Sequence, residues 1–139
     1  MLVDDNENDV ELTLLALQGL KLASGIVHVR DGVEALEYLQ KEDTHAAPRR
    51  QLPLFVLLDI KMPRMDGLEV LRRVRADPQL ALVPIVVMTS SREQPDLRTA
   101  YELGANAYVV KPVHFEDFRK AVATLGTFWG VLNESPAIV

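Results

Sequence analysis

Cysteine is missing altogether from the chain, which excludes a disulfide framework and a thiolate zinc site. Histidine is scarce, and His28, His45 and His114 stand too far apart for the short ligand spacing of a histidine metal site. Positive charge is in deficit: 15 Lys and Arg face 20 Asp and Glu, a formal net charge of -5, with no contiguous basic tract. That balance argues against a nucleic-acid partner and suits a basic protein surface better. Long apolar runs are lacking too, so no stretch approaches membrane-span length, and no charged-then-apolar leader opens the chain. These absences lead to the expectation of a soluble, cytoplasmic protein with neither a membrane nor a nucleic-acid partner.

What is present is a chain of 139 residues, 48% apolar and 25% charged. The composition is globular, and the length closes one sizeable core without room for a second. The expected organisation is one domain over residues 1–139, with a last helix and C-terminal tail from about residue 114 and no separate output domain.

The stretch from Pro53 to Gly67 organises the rest. Leu54 to Leu58 are apolar in succession, the pattern of a strand buried on both faces, and the run stops on Asp59. An acid at the carboxyl end of a central parallel strand stands where open α/β sheets hold their ligands. Other segments supply similar ends. Met1-Leu2-Val3 reads as a short first strand closing on Asp4-Asp5, and Ile26 to Val29 as a second. Pro84 to Met88 is another all-apolar strand, ending on Thr89-Ser90-Ser91, and Tyr108-Val109-Val110 runs into Lys111-Pro112.

Helical periodicity fills the intervals. Asn8 with Glu11 predicts an N-cap and capping box for helix 1, from about Asp9 to Gly19. Val10, Leu14 and Leu17 form its buried stripe, while Leu12 and Leu15 lie on another side as a candidate docking face. Val33, Leu36 and Leu39 predict helix 2, followed by a polar connector from Lys41 to Leu52 that contains Pro48-Arg49-Arg50. Leu68, Leu71 and Val74 predict helix 3, with Arg72, Arg73 and Arg75 facing water. Pro95 opens helix 4, Leu97, Ala100 and Tyr101 supply its buried side, and Gly104 stops it. Helix 5 carries Phe115, Phe118, Val122, Leu125 and Trp129 on one stripe, widened by Ala121, Phe128 and Leu132. That arc exceeds what one sheet contact requires, so an interface is expected there.

Strict alternation of strand and helix with short connections predicts an α/β, doubly wound, flavodoxin-like (βα)5 fold whose five-stranded parallel sheet runs in the order 2-1-3-4-5. The carboxyl ends of all strands then share one rim, which gathers Asp4, Asp5, Asp59, Thr89 and Lys111. Three neighbouring carboxylates repel and raise one another's pKa unless a cation intervenes, and an all-oxygen cluster of acids suits Mg²⁺. An acid beside a divalent ion, a hydroxyl and an ammonium is a good phosphoryl acceptor, because phosphoryl transfer needs chiefly alignment and charge compensation on the transferring oxygens.

The acidic pair Asp4-Asp5, the block Leu57 to Gly67, Thr89-Ser90, Gly104-Ala105 and Lys111-Pro112 together resemble the receiver domain of a two-component response regulator, over nearly the whole chain. The resemblance implies that Asp59 accepts phosphate from a sensor histidine kinase. It further implies Asp5 as a direct Mg²⁺ ligand, Asp4 acting through water, and metal contacts from Asp59 and the backbone carbonyl of Lys61. Thr89 would bind the phosphoryl group and move toward it, Lys111 would pair with its charge, and Tyr108 would be the aromatic switch that follows Thr89 inward. A cis Lys111–Pro112 bond is implied as well. The polar connector, Tyr101 to Asn106 and Phe128-Trp129 are similar to single-domain receivers that serve bacterial phytochrome kinases. Members of that group pair through helix 4, strand 5 and helix 5, so a bacteriophytochrome partner and a homodimer of that kind are implied too.

Two other classes use related features. A haloacid-dehalogenase-type phosphatase also has a strand-end Asp with Mg²⁺, but it needs an acid two residues after the nucleophile, and Lys61 stands there. A receiver-like interaction module that is not phosphorylated would keep the fold; the complete set of expected site residues favours a working phosphoacceptor, not an enzyme acting on other substrates.

Overall fold

The structure, a computed structural model, describes residues 1–20, 22, 25–41 and 52–136. The Pro48-Arg49-Arg50 part of the expected connector lies outside the described residues. Five parallel strands form one sheet in the order β2-β1-β3-β4-β5. They are β1 (Leu2–Val3), β2 (His28–Val29), β3 (Val56–Leu58), β4 (Ile85–Thr89) and β5 (Ala107–Val110). Alternating with them come α1 (Glu7–Gln18), α2 (Gly32–Gln40), α3 (Gly67–Ala76), α4 (Gln94–Glu102) and α5 (Phe115–Thr127), the last prolonged by a π-helical turn over Phe128–Leu132. The expected flavodoxin-like order is the observed one.

Side chains leave a strand alternately on its two faces, and the core divides accordingly. Val3, Val56, Leu58, Ile85 and Val87 belong to one half, covered by Ala35, Leu36 and Leu39 of α2, Val70, Leu71 and Val74 of α3, and Ala100 of α4. Leu2, Leu57 and Val86 belong to the other, against Val10 and Leu14 of α1, Leu125 of α5, and Trp129. Strands β3 and β4 are buried along their whole length, as their unbroken apolar runs require.

Several local expectations change. β2 begins at His28 because β1 offers only Leu2 and Val3 as partners, paired with His28 and Val29. Helix α1 starts earlier than Asp9: Asn6, in extended backbone directly after the acids, is the N-cap, and its side chain accepts a hydrogen bond from the Asp9 amide at 3.0 Å. Tyr101 is 51% exposed, and Ala100, wholly buried, takes the inward place on α4. Arg75 does not face water with Arg72 and Arg73. Its guanidinium donates to the carbonyls of Gly104, Ala81 and Val83 and to the Asn106 side chain at 2.8–3.0 Å.

The wide apolar arcs of helices 1 and 5 have a shared explanation. Leu12, Ala16, Leu17 and Leu20 pack with Phe118, Ala121, Val122 and Leu125, so each helix is a large part of the other's partner. Leu15 remains outward at 56% exposure, as do Phe115, Phe128 and Leu132 at 53%, 48% and 67%. Among the described residues no helix is long and apolar enough to cross a membrane.

Candidate functional site

Sheet register brings the acids together. Val3 is aligned with Leu58, so the residues that follow, Asp4 and Asp59, emerge side by side, and the Asp59 amide donates to the Val3 carbonyl at 2.9 Å. Asp4, Asp5 and Asp59 each offer a carboxylate oxygen, all within 4.8 Å of one another. Asp4 and Asp59 are buried and Asp5 is exposed, which leaves the cluster open on one side.

Lys111 reaches this cluster from the end of β5, with its ammonium 2.7 Å from Asp4, 2.9 Å from Asp9 and 3.1 Å from Asp59. It does so across a trans Lys111–Pro112 bond, since no described peptide bond is cis. The expected cis geometry is therefore corrected: X–Pro bonds favour trans by about 0.5–1 kcal/mol, and the lysine reaches its partners without the less favoured isomer. Burial alone works against the Lys111 charge, but the Asp4 hydrogen bond and the Asp59 and Asp4 charges outweigh it and hold the ammonium above its ordinary pKa. Burial pushes the Asp4 carboxyl up, against the pull of Lys111, and the Asp59 charge adds to the rise. Three carboxylates thus converge on one ammonium, and that of Asp5 lies beside them. That surplus of buried negative charge, offered by oxygen donors with an open side, fits a hard divalent cation held by Asp4, Asp5 and Asp59.

Thr89 closes β4 beside this group. It is completely buried, and its hydroxyl oxygen accepts from the Ser91 amide at 3.3 Å. Tyr108, half-buried on β5, donates its hydroxyl to the Ser91 carbonyl at 3.1 Å. The Lys61 side chain points outward and pairs with Asp96 at 3.5 Å, while Ser91 donates its hydroxyl to the same carboxylate at 2.6 Å. Asp4, Asp5, Asp59, Thr89 and Lys111 therefore share one rim, on four strand ends, with Lys61 in the loop after β3 and Tyr108 within β5.

The loop between β3 and α3 is held by close backbone approach. A Cβ on Gly67 would come 2.0 Å from the Asp59 carbonyl oxygen, so only glycine fits at the start of α3. Asp66 caps that helix through the Glu69 amide at 3.0 Å. Arg64 adopts φ 62°, a conformation uncommon for a residue with a side chain, and its guanidinium donates to buried Asp31 at 2.8–2.9 Å. The Gly32 amide donates to the Met65 carbonyl at 3.2 Å, joining the loop to the start of α2.

Sequence reasoning missed Asp9 as a member of the site and Asp31 with Arg64 as its brace. Asp9 had a legible signal: with Asn6 as N-cap it is the third residue of a helix that begins at the acid pair, and such a position lies by the strand end it follows.

The comparisons agree with this geometry. Residues 1–123 match the family model described as response regulator receiver domain. The probable methanogenesis regulatory protein FilR2 of Methanothrix harundinacea is 38% identical over 98% of this chain and 86% of its own length. Response regulator Rcp1 of Synechocystis is 33% identical over 93% of this chain and 86% of its own, and a Mn²⁺-bound form of Rcp1 has been solved (TM-score 0.88, 32% identity, 98% and 96% of the two chains). The phosphorylated cyanobacterial phytochrome response regulator RcpA superposes with TM-score 0.88 at 34% identity, covering 98% and 96%. The bacteriophytochrome response regulator RtBRR is 51% identical over 97% of this chain and 81% of its own, with TM-score 0.71. A parallel sheet that sets three acids, a buried threonine and a buried lysine on one rim, together with a family match over most of its length, makes this chain a member of the response regulator receiver domain family.

Proposed function

We propose that the protein is a receiver that takes a phosphoryl group from the phosphohistidine of a sensor kinase onto Asp59. The observation that carries this reading is the buried Asp59 carboxylate, 3.1 Å from the Lys111 ammonium and grouped with Asp4 and Asp5. An Asp59 oxygen attacks phosphorus, a P–O bond forms as the P–N bond breaks, and the electron pair returns to the imidazole nitrogen. Asp4, Asp5, Asp59 and the backbone carbonyl of Lys61 would hold Mg²⁺, which supplies positive charge against the phosphoryl oxygens. Lys111 compensates a further oxygen, and Thr89 hydrogen-bonds another once its hydroxyl turns from the Ser91 amide. Tyr108 then gives up its bond to the Ser91 carbonyl and turns inward, changing the surface around α4 and β5.

The upstream kinase in this reading is of the phytochrome type, supported by the 51% identity to RtBRR, and the protein works in the cytoplasm without touching nucleic acid or membrane. It forms a homodimer through α4, β5 and α5, where Tyr101 and Phe115 are about half exposed and Val113 is 89% exposed. The reading is tested by phosphotransfer from a radiolabelled bacteriophytochrome kinase with Mg²⁺ present. Label should move to the wild-type chain and not to Asp59→Asn; an aspartyl label that persists in Asp59→Asn sinks the assignment.

A further inference from the structure

Asp9 stands outside the group of carboxylates that meet around Asp59, yet it is bound to the same lysine. The Lys111 ammonium has three N–H donors, and Asp4 at 2.7 Å, Asp9 at 2.9 Å and Asp59 at 3.1 Å engage all of them. The three acceptors are not equivalent. Asp4 and Asp59 have side chains only 5% and 8% exposed, whereas that of Asp9 is 25% exposed and sits in the first turn of α1. A divalent cation in the cluster and the Lys111 ammonium would both draw on the charge of the Asp4 and Asp59 carboxylates. Asp9 is the acceptor they do not share.

We propose that Asp9 is a positioning residue for Lys111: it draws the ammonium toward α1, loosens its hold on Asp4 and Asp59, and so eases entry of the cation. This deepens the phosphoacceptor reading and rests on it. An acid in the first turn of a helix also favours the helix dipole, but that structural role would not depend on Lys111.

The dependence on Lys111 can be measured by calorimetric titration of the full chain with Mg²⁺, without any phosphotransfer. Asp9→Asn should weaken Mg²⁺ binding about tenfold, the lower end of what loss of a partner behind a metal ligand costs, and Lys111→Met should strengthen it. In the Lys111→Met background, titrated at about 0.15 M salt, Asp9→Asn should change the affinity by no more than about twofold, the effect of a bare charge acting through screening solvent. Equal losses in both backgrounds, or no loss in the wild-type background, would overturn the proposal. If circular dichroism shows Asp9→Asn unfolded, Asp9→Ser takes its place with the same expected values. A wild-type chain that binds no Mg²⁺ overturns the phosphoacceptor reading and this inference together, whereas normal wild-type binding with an unaffected Asp9→Asn overturns this inference alone.

Discussion

Two loops border Asp59, and they are held by different kinds of force. The one after β3 is fixed by backbone packed on backbone: Gly67 against the Asp59 carbonyl, Gly32 against Met65, and a left-handed Arg64 anchored on Asp31. The one after β4 is held by polar contacts of the Ser91 and Asp96 side chains and the Tyr108 hydroxyl. Contacts of the first kind have one tolerable arrangement, since overlap rises steeply with any displacement. Those of the second kind can be exchanged for bonds to water or to a new anion at little net cost. One loop suits a fixed reaction centre and the other a moving part.

Substitution should separate the two. Gly67→Ala drives a methyl group into the Asp59 carbonyl, and we expect about 3 kcal/mol of destabilisation in urea melts, the upper range for overpacking, with loss of Mg²⁺ binding. A milder effect, under about 1 kcal/mol, would show that the first loop is as adaptable as the second.

Arg64→Ala removes the bond to Asp31 and keeps the costly φ, for about 2 kcal/mol, while Arg64→Gly should recover about 1 kcal/mol of that by relieving the backbone. The same pair sets an acid limb. Burial pushes the Asp31 carboxyl up, but the Glu34 amide and the Arg64 guanidinium pull it further down, below its ordinary value. Stability from Asp31 is therefore present above the unfolded carboxylate pKa of about 4 and is lost as pH falls through the lower folded value. Melts recorded across that range should show a flatter acid limb in Arg64→Ala than in the wild type.

On the other loop, Tyr108→Phe deletes one half-buried hydrogen bond and should cost no more than about 1 kcal/mol, while amide exchange at Ser91 speeds up. A cost approaching that of Gly67→Ala would erase the contrast between the loops.

Much of this was legible in the chain. The apolar run of Leu54 to Leu58 stopping on Asp59, and its counterparts ending at Asp5, Thr89 and Lys111, placed the rim because a parallel sheet puts like ends together. What could not be read was choice of partner. An apolar arc on helix 1 and another on helix 5 announce that each is covered, not that Leu12 and Leu17 meet Phe118 and Val122. Arg75 was expected in water because its neighbours Arg72 and Arg73 are there; the carbonyls of Ala81 and Val83, ahead of β4, and of the more distant Gly104 captured it instead. Asp9 was hidden by a helix start placed at Asn8 instead of Asn6, which made it the first helical residue and not the third, the one whose amide bonds the cap.

The Arg75 guanidinium joins α3 to the residues just before β4, to the end of α4 through Gly104, and to Asn106 ahead of β5. It works at the edge of the sheet away from the acids, as a riveted joint. With the C-terminal end of α4 fastened there and the N-terminal end resting on the Ser91–Asp96 contacts, α4 is a lever with a fixed fulcrum. In the proposed phosphoacceptor reading, a displacement of Thr89 and Ser91 would be magnified along the site end of α4 and fade toward Gly104, so a partner that reads the state of Asp59 would have most to read near Asp96 and least near Glu102.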